Sequence, residues 1–241
     1  MTLVLDAHNH VGIRHGARQT GPELVAKMDA AGVAKAVVFP FVEGNFTNDG
    51  AKEARDACPD RLIAYCAVNP WQPDAAAEVR RCVREWGFKG LKLHPTINGF
   101  HLSDAGLVDP LFEEADSLGI PIIVHGASDL LNSPPEFAIM ARRFPRVKLL
   151  MAHMGFFWSV DQAIAYAKEF SNLYLETSRA PIFEIATAVR ECGPGKVIWG
   201  TDSPFVDYEW EFKKMERCTT DRAVYDLVVG GTMAEILGIS D

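Results

Sequence analysis

Residues 121–153 read PIIVHGASDLLNSPPEFAIMARRFPRVKLLMAH. The apolar run Ile120–Val124 opens this stretch and Val147–Ala152 closes it, and each run is followed at once by a histidine, His125 and His153. Short, nearly continuous apolar runs are the mark of strands buried on both faces of a parallel sheet. Between them, Ser133-Pro134-Pro135-Glu136 reads as a helix start, with a capping serine, prolines in the first turn and an early acid. The stretch is one strand–helix–strand unit with a polar residue where each strand ends.

The same unit extends in both directions. Further apolar runs occur at Leu3–Leu5, Ala36–Phe41, Leu62–Val68, Phe88–Leu93, Leu173–Leu175 and Val197–Trp199. Taking the strand ends as His8, Pro40, Asn69, His94, His125, His153, Thr177 and Asp202, neighbours lie 24 to 32 residues apart. Helix signals fill the gaps. Thr20-Gly-Pro-Glu23 forms a capping box closed by Gly32, Asp109-Pro110 opens a helix ending at Gly119, and Ser159-x-x-Gln162 opens another. Eight such strands predict an α/β chain folded as a single (β/α)8 barrel over residues 1–241. A doubly wound open sheet is the rival. It would carry a glycine-rich phosphate loop after its first strand, and His8-Asn9-His10-Val11-Gly12 is not one.

Composition narrows the functional classes. Of 241 residues, 48% are hydrophobic and 23% charged, which is ordinary for a globular chain. Lys+Arg number 24 against 32 Asp+Glu, a net charge of −8, so the broad basic footprint of a nucleic-acid binder is missing. No apolar run approaches the roughly 18 residues of a membrane span. The start, MTLVLDAHNH, has neither a basic head nor a signal-like apolar stretch, so the mature chain is expected to begin near Met1 and to be cytoplasmic. Cys58, Cys66, Cys82, Cys192 and Cys218 are odd in number and have no CxxC spacing, which predicts free thiols.

The chemistry concentrates at the strand ends, where barrel enzymes carry their reactive groups. His8 and His10 share one side of an extended chain. With that side inward, both face one ion, and His125, His153 and Asp202 complete the site from across the mouth. Neutral imidazole and carboxylate suit a divalent metal of the zinc type. A lone strand-end histidine is more often structural; the argument rests on the set.

These pieces together resemble the amidohydrolase superfamily, specifically its amidohydrolase-related branch of hydrolases, lactonases and metal-dependent decarboxylases. The resemblance rests on Asp6-Ala-His8-Asn-His10, on Asp60 to Pro70, on Gly87 to Pro95 and on Pro121 to His125. It continues through Phe144 to Gly155, Gly200-Thr-Asp202-Ser-Pro204 and Gly231 to Gly238, where Thr232 replaces the family's usual Asn. The resemblance implies that His8, His10, His125 and Asp202 bind one divalent metal, zinc being expected and manganese the alternative. It implies that His153 and Asp202 do the chemistry. In binuclear relatives a carboxylated lysine bridges two metals; Lys92 is the residue for that alternative, and the mononuclear site is preferred.

Around the mouth, Arg14, His15, His94, His101 and Arg179 add positive charge that favours an anionic substrate. Arg179 is the expected clamp for a carboxylate, with Arg14, His94 and Lys92 beside it; pairing with Glu176 or Glu184 is the alternative. Phe156, Phe157 and Trp158 either wall the pocket or cover the barrel, and Trp71 and Trp86 are expected to be packing residues. The function expected from the sequence is hydrolysis of an amide, lactone or ester of a small carboxylate-bearing substrate. Decarboxylation of an aromatic or unsaturated acid is the alternative, and a non-catalytic barrel is disfavoured because every expected polar position is filled. The only partner expected is the small-molecule substrate, with no nucleic acid and no membrane; a homo-oligomer stays open.

Overall fold

Strand β1 (Leu5–Arg14) begins the barrel wall and pairs in parallel with β3 (Lys35–Pro40), which pairs with β4 (Leu62–Ala64). A second parallel run joins β5 (Cys66–Ala67), β6 (Leu91–Leu93), β7 (Ile122–His125), β8 (Leu149–Ala152), β9 (Leu173–Glu176) and β10 (Val197–Ile198). The computed structural model describes residues 3–14, 16–126, 129–156 and 158–239. His15, Phe157 and the expected start at Met1 lie outside the described residues.

The two runs close on each other. At one junction the Tyr65 N–H donates to Val38 O (2.9 Å) and the Cys66 N–H to Gly90 O (2.9 Å), so β4 and β5 act as one interrupted barrel strand. At the other, the Ala7 N–H donates to Trp199 O (3.2 Å), the Asp202 N–H to His8 O (2.9 Å) and the His10 N–H to Ser203 O (2.8 Å). The result is the (β/α)8 barrel expected from the strand rhythm.

Alternation along the strands sorts side chains into two layers. Val37, Phe39, Tyr65, Ile123, Leu150 and Ile198 fill the barrel interior. Ala36, Val38, Leu149 and Met151 pack outward under the helices. The inward parity continues to the mouth as Lys92, His125, Glu176 and Asp202. In β1 the parity is switched. Leu5 and Ala7 face inward, and a register shift between Asp6 and Asn9 turns His8 and His10 inward beyond it. Asp6 Oδ1 accepts from the His8 N–H (3.0 Å) and the Thr201 N–H (3.0 Å), which pins the irregular stretch.

Several local expectations meet their physical detail. Thr20 and Glu23 cap each other's backbone, and Gly32 ends that helix at φ 73°. The Asp109-Pro110 helix start is corrected: the helix runs Ala105–Leu118, because Asp104 accepts from the Leu107 N–H and caps it one turn earlier. Pro110 is therefore inside the helix. The first strand, expected to end at His8, continues past His10 to Arg14, and residues Gly12–Arg14 form an antiparallel pair with β2 (Ala17–Gln19) that the sequence did not announce. Cys66 and Cys82 are buried and all five thiols are free. Trp86 packs against the core, whereas Trp71 is corrected from packing residue to exposed one, its Nε1–H donating to Asn98 O.

Candidate metal centre

The ends of β1 and β10 bring three buried donors together. His8 Nε2 and His10 Nε2 each lie 3.2 Å from the same oxygen, Asp202 Oδ1. Ligand atoms of His8, His10 and Asp202 all lie within 4.8 Å of one another. Burial lowers the pKa of His8 well below its ordinary value, Lys92 adding to the effect, and burial also lowers that of His10. Burial acts to raise Asp202, but the facing imidazoles of His8, His10 and His153 outweigh it and hold the carboxyl well below the usual range. Neutral imidazoles beside an ionised carboxylate are the donor state that a divalent cation requires. The residues fit such an ion.

The other histidines continue across the mouth as a chain of rings. His8 stacks on His153 (centroids 5.1 Å), His153 meets His125 edge-on (4.8 Å), and His125 stacks on His94 (3.8 Å). His125 thus reaches the mouth but belongs to neither group of mutually close donors among the described residues. His94 Nδ1 accepts from the Ile97 N–H (3.4 Å) and caps a short helix. His153 is buried, which lowers its pKa to about 4, and its Nδ1 faces Ser178. Lys92 Nζ lies 3.5 Å from His8 Nε2 and 4.8 Å from the Phe39 ring centre, and burial lowers its pKa to about 8.

The arginines are partnered. Arg14 pairs with Glu43, and Arg179 Nε pairs with Asp202 Oδ2 rather than with Glu176 or Glu184. Both guanidinium groups stand 5.2 Å from the centre of the Phe205 ring. His101 is solvent-facing, 3.8 Å from Glu136. Phe156 lines the cavity, whereas Trp158 is 89% exposed.

A cavity of about 440 Å³ opens over these groups, with Phe41, Phe156 and Phe205 on its walls. A larger one, about 760 Å³, lies on the outer side around Lys27, Phe212 and Tyr225. Among the described residues, neither group of mutually close metal donors lies on it. Among the described residues, non-glycine backbone strain falls in the region of the smaller cavity. The described non-glycine residues with positive φ are His153, Met154, Phe156, Arg179 and Asp202, all just beyond β8, β9 or β10.

Three participants escaped sequence reasoning. Glu176 is the last inward residue of β9, and the signal for it was the parity it shares with Tyr174. Glu211 and Lys214 form a buried pair (2.6 Å) on the helix Tyr208–Cys218; Lys214 donates to Ala180 O (3.0 Å) and Glu211 accepts from the Arg179 N–H (3.4 Å). They hold the segment that carries Arg179. Helical spacing alone does not mark them.

A sequence profile described as Amidohydrolase matches residues 16–231. Gamma-resorcylate decarboxylase of Rhizobium radiobacter is 25% identical over 214 residues, covering 66% of this chain and 64% of that protein. The match thus spans less than two thirds of that relative's length. The solved structure of 5-carboxyvanillate decarboxylase from Sphingomonas paucimobilis superposes with a TM-score of 0.78 at 18% identity, covering 100% of both chains. That of dihydroxybenzoic acid decarboxylase from Polaromonas sp. JS666, with bound manganese and 2-nitroresorcinol, gives 0.76 at 18% identity over 99% of this chain and 97% of the other. At these identities the superpositions show the fold.

Proposed function

We propose, because the chain belongs to the Amidohydrolase family, that it is a metal-dependent decarboxylase of a small cyclic carboxylic acid. The observation that carries the metal reading is the convergence of His8 Nε2 and His10 Nε2 on one Asp202 oxygen, 3.2 Å from each. The named activities of the relatives support decarboxylation, and they correct the hydrolase expected from the sequence. The physical reason for that error is plain. Hydrolase and decarboxylase use the same imidazole and carboxylate donors, so the strand-end motifs do not separate them.

His8, His10 and Asp202 would hold the ion, with His125 the additional ligand from β7. Zinc and manganese both suit these donors, and manganese is the metal held by the Polaromonas structure. A divalent ion there would supply electrostatic attraction for a substrate carboxylate or a neighbouring oxygen. Arg14 and Arg179 are paired with Glu43 and Asp202, so the attraction for an anion would come from the ion, while Phe41, Phe156 and Phe205 offer flat apolar surface to a ring. In the reaction the bond between ring carbon and carboxylate breaks. Its electron pair stays on the ring carbon, carbon dioxide leaves, and the carbon takes a proton. Asp202 and His153 both line the cavity, and Asp202, which rests ionised, is assigned the relay of that proton, taking it from water or from an acidic hydroxyl of the substrate and passing it to the ring carbon.

The test is product analysis of the metal-loaded protein on 2,6-dihydroxybenzoate, 5-carboxyvanillate and a set of lactones and esters. Carbon dioxide release from an aromatic acid is expected. Acid release from lactones or esters without carbon dioxide would overturn the reading.

A further inference from the structure

Glu176 stands where two imidazoles are tied together. Its Oε2 lies 2.9 Å from His8 Nδ1 and 2.8 Å from Ser178 Oγ, and Ser178 Oγ lies 2.9 Å from His153 Nδ1. Two backbone groups, which only donate, also point at this carboxylate: the Ser178 N–H at Oε1 (2.6 Å) and the His153 N–H at Oε2 (3.4 Å). Glu176 and Ser178 are fully buried. Gly200 makes room for the arrangement, since a Cβ there would strike Glu176 Oε1 and the His8 Cβ.

We propose that Glu176 is a positioning residue that sets the tautomer of His8 directly and, through Ser178 Oγ, supports the same tautomer in His153, whose Nδ1 is also held by the Ser178 carbonyl at 3.1 Å. The inference rests on the metal reading above. A carboxylate ringed by donors accepts from every one of them. His8 therefore carries its proton on Nδ1 and keeps the Nε2 lone pair for the ion. The Ser178 hydroxyl spends its hydrogen on Glu176, so its lone pair accepts from His153 Nδ1–H. That leaves the His153 Nε2 lone pair free. One buried carboxylate thus readies a metal ligand and helps to hold the imidazole stacked on it in the same sense.

His8, His153 and Glu176 also have ligand atoms within 4.8 Å of one another, the geometry of a second ion. The hydrogen-bond reading is favoured because His8 Nδ1 and Ser178 Oγ both sit at hydrogen-bonding distance from one oxygen, which leaves an ion there no room.

The test begins with ¹⁵N-histidine NMR of the zinc-loaded protein, because without an ion Asp202 Oδ1 faces His8 Nε2 as an acceptor. Protons on Nδ1 of both His8 and His153 are expected; a proton on His8 Nε2 in the wild type would overturn the proposal. In Glu176→Gln the amide NH2 faces His8 and drives its proton to Nε2, so zinc or manganese binding, read by chelator competition, weakens about 10- to 100-fold. Ser178→Ala removes the hydroxyl link but keeps the backbone carbonyl of that residue on His153 Nδ1, so the His153 tautomer and the metal affinity stay close to wild type; a loss of metal affinity as large as in Glu176→Gln would overturn the direct role of Glu176 at His8. Near-ultraviolet circular dichroism establishes that both variants are folded. Wild-type metal affinity in folded Glu176→Gln would overturn the proposal, as would two ions per chain with one lost in that variant. If His8→Ala with His10→Ala keeps its metal, the metal reading itself falls. If that double variant loses metal and Glu176→Gln does not, only the role of Glu176 falls.

Discussion

Arg179 and Asp202 share a carboxylate with the imidazoles: Asp202 Oδ1 faces His8 and His10, and Oδ2 is held by Arg179 Nε. The residue expected to clamp a substrate anion is thus joined to the centre itself. Arg179→Met is expected to leave metal content near wild type and to lower kcat/KM about 10- to 100-fold, a loss of about 1.4–2.7 kcal/mol. Elemental analysis and steady-state kinetics on the active substrate check this. Wild-type kinetics would show that the contact has no part in turnover.

Removing the paired imidazoles tests the centre more bluntly. His8→Ala with His10→Ala is expected to abolish metal uptake by purified protein. Full metal content in the double variant would place the ion elsewhere.

The buried histidines make the metal-free fold acid-sensitive. Burial lowers the pKa values of His8, His10 and His125, and brings that of His153 to about 4. The unfolded chain takes up these protons near pH 6.5, before the folded one does. At these sites the unfolded state therefore binds more protons between pH 6.5 and 4, so their contribution to stability falls as pH falls, while Asp6 and Glu211, raised by burial to about 7 and about 8, act in the opposite sense. The slope is about 1.4 kcal/mol per pH unit for each proton difference. Urea unfolding of chelator-treated protein from pH 7.5 to pH 5 measures it. His153→Gln should flatten the dependence, and an unchanged slope would count against a neutral buried His153.

The pair under the Arg179 segment gives a stability test away from the metal. Lys214→Met removes a cation that donates to Thr177 O (3.3 Å) and Ala180 O (3.0 Å) and pairs with buried Glu211. A loss of about 3 kcal/mol is expected in denaturant unfolding. A loss below about 0.5 kcal/mol, the range of ordinary surface changes, would mean these contacts hold nothing.

The barrel was legible because parallel strands buried on both faces leave apolar runs, and because their polar ends recur at a nearly constant interval. His8, His10, His153 and Asp202 could be picked out for the same reason, each lying where a run stops. Glu176 was not, although it also ends a strand. A carboxylate there reads equally as a local ion-pair partner, and its true partners are a histidine 168 residues away and a serine two residues on. The inward turn of His8 and His10 was expected from simple alternation, but the fold reaches it through the irregularity at Asp6–Asn9. Hydrolysis and decarboxylation were inseparable at the level of donors, since what distinguishes them is how a substrate sits in the cavity.

The seam between β1 and β10 bears on the order in which the protein is made. His8 and His10 leave the ribosome well before Asp202, which follows 194 positions after His8. The backbone bonds that bring them together, from the Asp202 N–H to His8 O and from the His10 N–H to Ser203 O, are those that shut the barrel. A nascent or truncated chain ending before Asp202 lacks the centre, however well its earlier strands have formed. Ion capture therefore reports completion of the circle, and a cation that grips only the closed ring draws the last strand home by mass action.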